Sequence, residues 1–213
     1  MTLVSKENST RLERMSPATV QFTAPATPAS LWMRTGGVIL AGSALVAVCA
    51  HLALPLYFTP VPLSLAPFAV LLLGLVLRPG VAAATLGAYL LEGAAGLPVF
   101  SATPGAASGL AHLLGPTGGY LLAYPLAAAL IAFLARGKRQ ATGSGFVRGG
   151  LSAGAGSLFI LLCGALWLAV LTHAPADSIA QLAILPFLPG DALKVVAAAA
   201  LASGWVRLKQ RMD

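Results

Sequence analysis

Between residues 36 and 206 the chain is a series of apolar runs divided by short proline, glycine or basic punctuation. That alternation leaves few folds open. Runs that carry almost no charge cannot coat a water-facing surface, but they can cross hydrocarbon as helices, which satisfy their own backbone hydrogen bonds. Only 9% of the residues are charged and 58% are hydrophobic. A soluble domain carries roughly 25% charged residues. This composition excludes an ordinary cytosolic enzyme and a disordered protein. The net charge of +7 would suggest nucleic acid, but the basic residues are scattered between apolar runs and form no patch. The expected class is an all-α membrane protein, with contacts to lipid and none to nucleic acid.

The runs predict six spans: residues 36–56, 67–77, 81–97, 118–135, 149–172 and 190–206. The second is short for a crossing, which takes about 20 residues. It must start early, within 62–66, or stop short of one interface. The loops test this count. Lys6, Arg11, Arg14 and Arg34 precede span one, and Arg78 lies between two and three. Arg136, Lys138, Arg139 and Arg148 lie between four and five, and Arg207, Lys209 and Arg211 follow six. Twelve of the thirteen basic residues therefore share one side, which the positive-inside rule makes cytoplasmic together with both termini. Residues 1–33, rich in Ser, Thr and Pro, read as a disordered cytoplasmic tail, with no signal-peptide pattern. Residues 36–208 read as one membrane domain.

The thirteenth basic residue is Lys194, in Pro189-Gly-Asp191-Ala-Leu-Lys194. Charges in lipid are expensive, so they pair or face a cavity. Spacing i, i+3 puts Asp191 and Lys194 on one helix face. Asp191 reads either as an N-cap, with Lys194 snorkelling outward, or as half of a polar clamp for a small ligand. Glu92 is the second intramembrane acid. It shares a face with Tyr89 and either ties the bundle together or lines a ligand site. His51, His112 and His173 fall near the outer side, on three separate loops, and read as interface residues in preference to a metal site. Cys49 and Cys163 read as small buried hydrophobes. Small-residue pairs occur in span one (Gly37/Ala41 and Ser43/Ala47) and in span five (Gly150/Gly154 and Ala153/Ser157). They serve helix packing, or a face for a second membrane subunit. The uncharged, glycine-rich loop 98–117 runs into Leu114-Gly-Pro-Thr117-Gly118-Gly119-Tyr120, where glycines can bring backbone N–H groups near a ligand. It lacks the GK[ST] ending of a phosphate-binding loop, and no nucleophile–base spacing emerges.

Four segments stand in the order and spacing of a known family: Thr59-Pro-Val-Pro-Leu-Ser64, Tyr89-Leu-Leu-Glu-Gly-Ala-Ala-Gly-Leu-Pro-Val-Phe100, Leu114-Gly-Pro-Thr-Gly-Gly-Tyr120 and Pro189-Gly-Asp-Ala-Leu-Lys194. Over residues 38–207 the chain resembles BioY, the biotin-binding S components of energy-coupling factor transporters. The resemblance implies a six-helix subunit in the cell membrane that binds biotin from outside. It needs no cofactor or metal, and catalyses no reaction of its own. A transmembrane coupling subunit and two ABC-type ATPases would be its partners. It implies substrate contacts at Asp191 and Lys194, and a coupling-subunit face at Gly37, Ala41, Ser43 and Ala47. Thr117, Gly118, Gly119, Tyr120, Tyr89, Glu92, Phe100 and His112 complete the expected substrate site. Biotin's carboxylate would meet either His112, or backbone N–H groups with Lys194. The rival readings are an S component for another vitamin and an intramembrane enzyme using Glu92, His112 and Asp191.

Overall fold

The structure, a computed structural model, describes residues 28–101, 108–136 and 144–212. The expected disordered tail lies outside them through residue 27, but its last six residues, 28–33, are helical; parts of the loops after spans three and four also lie outside. The chain divides into compact units 1–33 and 34–213, and the description below concerns the second.

Among the described residues there are eight helices and one two-stranded hairpin. Helix α1 (Pro28–His51) ends where His51 Nδ1 donates to the Ala47 carbonyl at 2.8 Å. The chain then turns into an antiparallel hairpin, β1 (Ala53–Leu54) with β2 (Leu63–Ser64), so the first run does not stay helical to residue 56. Pro55, Pro60 and Pro62 lack the N–H that a helix would need there.

Helix α2 (Ala66–Val76) has 11 residues, about 16 Å at the α-helical rise, roughly half a bilayer core. It begins next to the hairpin, with Ser64 Oγ accepting the Ala66 N–H at 3.0 Å. After Arg78, α3 (Pro79–Ala94) starts on a proline, whose missing N–H would have been unpaired anyway. It stops at Gly96, whose φ of +95° lets Leu97 N–H reach the Glu92 carbonyl at 3.1 Å. Short α4 (Leu110–Leu113) precedes α5 (Gly118–Ala135), whose bounds are those of the fourth predicted run. Helix α6 (Ser144–Thr172) extends the fifth run on its N-terminal side. There Arg148 donates from Nε and Nη2 to the Leu134 carbonyl, at 3.1 and 3.0 Å, satisfying the end of α5.

The linker between the fifth and sixth predicted runs, residues 173–189, contains α7 (Ala176–Ala183). Its Ile179 and Ala183 are buried while Asp177 and Gln181 are exposed, a one-sided pattern too brief to stand out in the sequence. A 47° bend separates it from α8 (Leu188–Met212).

Three described helices are long and apolar enough to cross a membrane: Trp32–His51, Gly118–Ala135 and Gly145–Thr172. The bent α7–α8 pair makes a fourth if taken as one span.

Within the bundle α5 packs between α3 and α6, and α8 packs on α2 and α6. The interior is rich in alanine and the outside in leucine. Leu71, Ile131, Ala153 and Ala198 close one buried cluster, whereas Leu126, Leu151, Leu166, Leu193 and Phe133 stand exposed. This is the pattern of a bundle in lipid, where leucine gains nothing by leaving the tails and small residues let backbones approach. Ile131 is the knob. A Cβ at Gly74 of α2 would come within 2.9 Å of its Cβ, and a Cβ at Gly156 of α6 would overlap its side chain.

Candidate functional site

Three segments converge on the N-terminal turns of α8: the β1–β2 hairpin, α6 and the α7–α8 bend. Helix α8 begins at Leu188, and Asp191 N–H already bonds the Phe187 carbonyl at 2.8 Å. Asp191 is therefore inside the first turn and is not the N-cap. Its carboxylate is free for other partners. Lys194 Nζ donates to Oδ1 at 2.9 Å, and Ser157 Oγ, from α6, donates to Oδ2 at 3.1 Å. Both members of the pair are buried, with 7% of Asp191 and 9% of Lys194 exposed, so the lysine does not snorkel to an interface. A buried ion pair persists only when its remaining hydrogen-bonding capacity is met, and Ser157 supplies part of that.

The bend fixes the neighbouring walls. It releases the carbonyls of Leu182 and Ala183 from helical bonding. Thr59 Oγ1, from the hairpin loop, donates to the first at 2.8 Å, and Tyr120 Oη, from α5, donates to the second at 2.8 Å. The hairpin, α5 and the bend are thereby tied at one point.

Between these elements lies a cavity of about 580 Å³, counting its open mouth. Its polar lining is Asp191, Lys194, Tyr120, Tyr124, Tyr89, His112, Thr117, Ser101 and Ser64. Val61, Pro67, Ile160, Leu161 and Phe187 give it apolar walls. Small-molecule sites have this make-up, mainly apolar with a few fixed polar groups. His112 stacks on Phe100 with centroids 5.0 Å apart, and its Nε2 lies 3.4 Å from Thr117 Oγ1.

A model of the BioY family matches residues 17–211. The chain belongs to the BioY family. It is 41% identical over 143 residues to the probable biotin transporter BioY of Pyrococcus horikoshii, covering 67% of this chain and 79% of that one. It is 33% identical over 159 residues to the biotin transporter BioY2 of Lactococcus lactis, covering 75% and 82%. A crystal structure of the S-component for biotin from an ECF-type ABC transporter superposes with a TM-score of 0.75 at 26% identity, over 88% of this chain and 95% of that one. With its apolar helices, this BioY chain is a membrane protein.

Against this geometry the expected site residues divide. Asp191, Lys194, Tyr120, Tyr89, His112 and Thr117 line the cavity. Phe100 stands one layer back, edge-on to Tyr89 at 5.4 Å. Gly118 and Gly119 do not line it. A Cβ at Gly118 would overlap the Leu113 carbonyl, and one at Gly119 would overlap Trp167 and come within 2.8 Å of the Cys163 carbonyl. These glycines let α5 reach α6, where Trp167 Nε1 donates to the Gly115 carbonyl at 2.9 Å. Glu92 turns to α1 and accepts from Ser43 Oγ at 2.8 Å. The Glu92, His112 and Asp191 set is thus not gathered on the cavity. Of the span-one stripe, Gly37 and Ala41 face outward, Ser43 is buried against Glu92, and Ala47 packs on the core. Cys49 is buried, Cys163 half-buried, and both are free.

Ser157 is the functional candidate that sequence reasoning read as a packing or subunit-face residue. Ser157→Ala leaves Asp191 Oδ2 without its protein donor, and is expected to destabilise the BioY chain by about 1–2 kcal/mol. Thermal unfolding in detergent checks this, and an unchanged midpoint would remove Ser157 from the site.

Proposed function

We propose that this chain is a six-pass, high-affinity biotin-binding subunit for biotin uptake, energised by a separate coupling subunit and two ABC-type ATPases. The observation that carries the reading is the buried Asp191–Lys194 pair on a cavity with aromatic and apolar walls. Biotin offers complementary chemistry: two ureido N–H donors and a carbonyl, an apolar thioether ring, and a carboxylate on a short chain. Asp191 accepts the ureido N–H groups, and Lys194 donates to the carbonyl or the carboxylate. Tyr89 and Tyr120 wall the ring, with Phe100 behind. His112 and Thr117 stand as the additional donors for the carboxylate.

In this reading α2 and α3 complete the count of six crossings, with the hairpin extending short α2 toward the outer face. The twelve basic residues then lie on the cytoplasmic side of a bacterial-type cell membrane with both termini, and the residues before α1 form a cytoplasmic tail. The outward small residues Gly37 and Ala41 offer α1 to the coupling subunit. The chain binds its vitamin unchanged and performs no chemistry on it. Isothermal titration of the purified protein with biotin tests the proposal. One saturable site per chain is expected, retained in weaker form by dethiobiotin and absent for thiamine. Tighter binding of thiamine, or conversion of biotin to a product, would overturn it.

A further inference from the structure

Among the described residues, one buried side-chain polar atom has no hydrogen-bond partner: Tyr89 Oη. Tyr89 is fully buried on α3 and lines the cavity. The fold satisfies the comparable phenol of Tyr120 with the Ala183 carbonyl, so an unmet hydroxyl is not a general feature of this core. Nor can the Tyr89 ring swing freely to find water. Phe100 holds it edge-on and is itself stacked on His112, and a Cβ at Gly93 would collide with the Phe100 ring. The nearest acid on the same helix, Glu92, is engaged by Ser43. Burying a hydroxyl without a partner is destabilising. A bound molecule carrying an acceptor would relieve that.

We propose that the Tyr89 hydroxyl is a specificity-determining donor to an acceptor oxygen of the bound ligand, and is more than an apolar wall. This rests on the biotin reading above. Biotin presents such an oxygen in two places, the ureido carbonyl and the carboxylate. The geometry assigns Tyr89 a hydrogen bond that exists only in the loaded protein. Removing the hydroxyl therefore has opposite effects on the empty and the loaded states, a signature that a purely structural tyrosine does not give.

The test uses the full chain in detergent, wild type and Tyr89→Phe. Thermal unfolding is followed without ligand. Titrations at neutral pH use biotin, 2-iminobiotin, whose protonated guanidinium presents only N–H donors where biotin has the ureido oxygen, and an analogue whose side chain ends in methyl. The Phe variant is expected to unfold at the same or a higher temperature when empty, yet to bind biotin about tenfold more weakly or worse. That penalty vanishes on 2-iminobiotin if the carbonyl is the acceptor, and on the methyl-ended analogue if the carboxylate is. Three results overturn the proposal: unchanged biotin affinity, a lower unfolding temperature for the empty variant, or an equal penalty on all three ligands. Wild-type protein that fails to bind biotin sinks the proposed function and this assignment together. Wild-type binding with an unchanged Phe variant sinks this assignment alone.

Discussion

Asp191→Asn is expected to weaken biotin binding by at least about 100-fold, the scale of one or two lost charge-assisted hydrogen bonds. Asparagine keeps the shape but presents only one acceptor oxygen, where the carboxylate has two. It also leaves Lys194 as an unpaired buried cation, since its partner at 2.9 Å becomes neutral. Breaking one side of a buried pair costs about 3–5 kcal/mol, so stability falls as well. Lys194→Ala should fail in the same two ways, leaving Asp191 with Ser157 alone. The double variant Asp191→Asn/Lys194→Met separates the effects. It buries no lone charge, so its unfolding midpoint recovers most of the loss, while biotin binding stays absent. Titration and thermal unfolding of the three variants are the measurements. Either single variant retaining wild-type affinity would remove the pair from the binding site.

A large effect on folding, separate from any ligand contact, is expected from one methyl group at Gly119. Its Cβ would overlap Trp167 and crowd the Cys163 carbonyl, and backbone cannot rotate away as a side chain can. Gly119→Ala should destabilise the protein by about 1–3 kcal/mol, the range for overpacked cores. The α5–α6 spacing that positions Tyr120 would be lost with it. Gly87→Ala on α3 is the control, because a Cβ there would have no neighbour within 4 Å. Its midpoint should hold or rise, as a helical glycine replaced by alanine usually gives. Equal midpoints for the two variants would refute the steric argument.

How far the sequence reached depends on the length scale of each signal. A long apolar run bounded by Gly118 and Arg136 is legible because hydropathy adds over many residues, and α5 has those bounds. Asp191 and Lys194 stand out because a charge in an apolar run needs a physical reason. The hairpin after α1 left only prolines as its trace, and eight-residue α7 is shorter than the windows in which helical period becomes visible. Within the site, the sequence shows residue type but not what each atom meets. Ser157 reads as a small residue for helix packing or a subunit face until its hydroxyl is seen on Asp191. Gly118 and Gly119 read as a loop approaching a ligand until their absent Cβ atoms are seen to make room for Leu113 and Trp167. Glu92 reads either as a bundle tie or as a second site carboxylate, and its bond to Ser43, 49 residues earlier on α1, fits the tie.

The charge pair of the cavity lies within a single helix, and among the described residues its side-chain hydrogen bond to another helix is the one from Ser157. Asp191 and Lys194 thus travel together as a self-contained zwitterion. If the seam between α6 and α8 parts, packing is lost, but the pair itself gives up one hydroxyl contact and neither ion leaves its partner. A pair split between two helices would resist the same movement with the full attraction between its ions. The site can be polar enough to select its ligand and still be free to open.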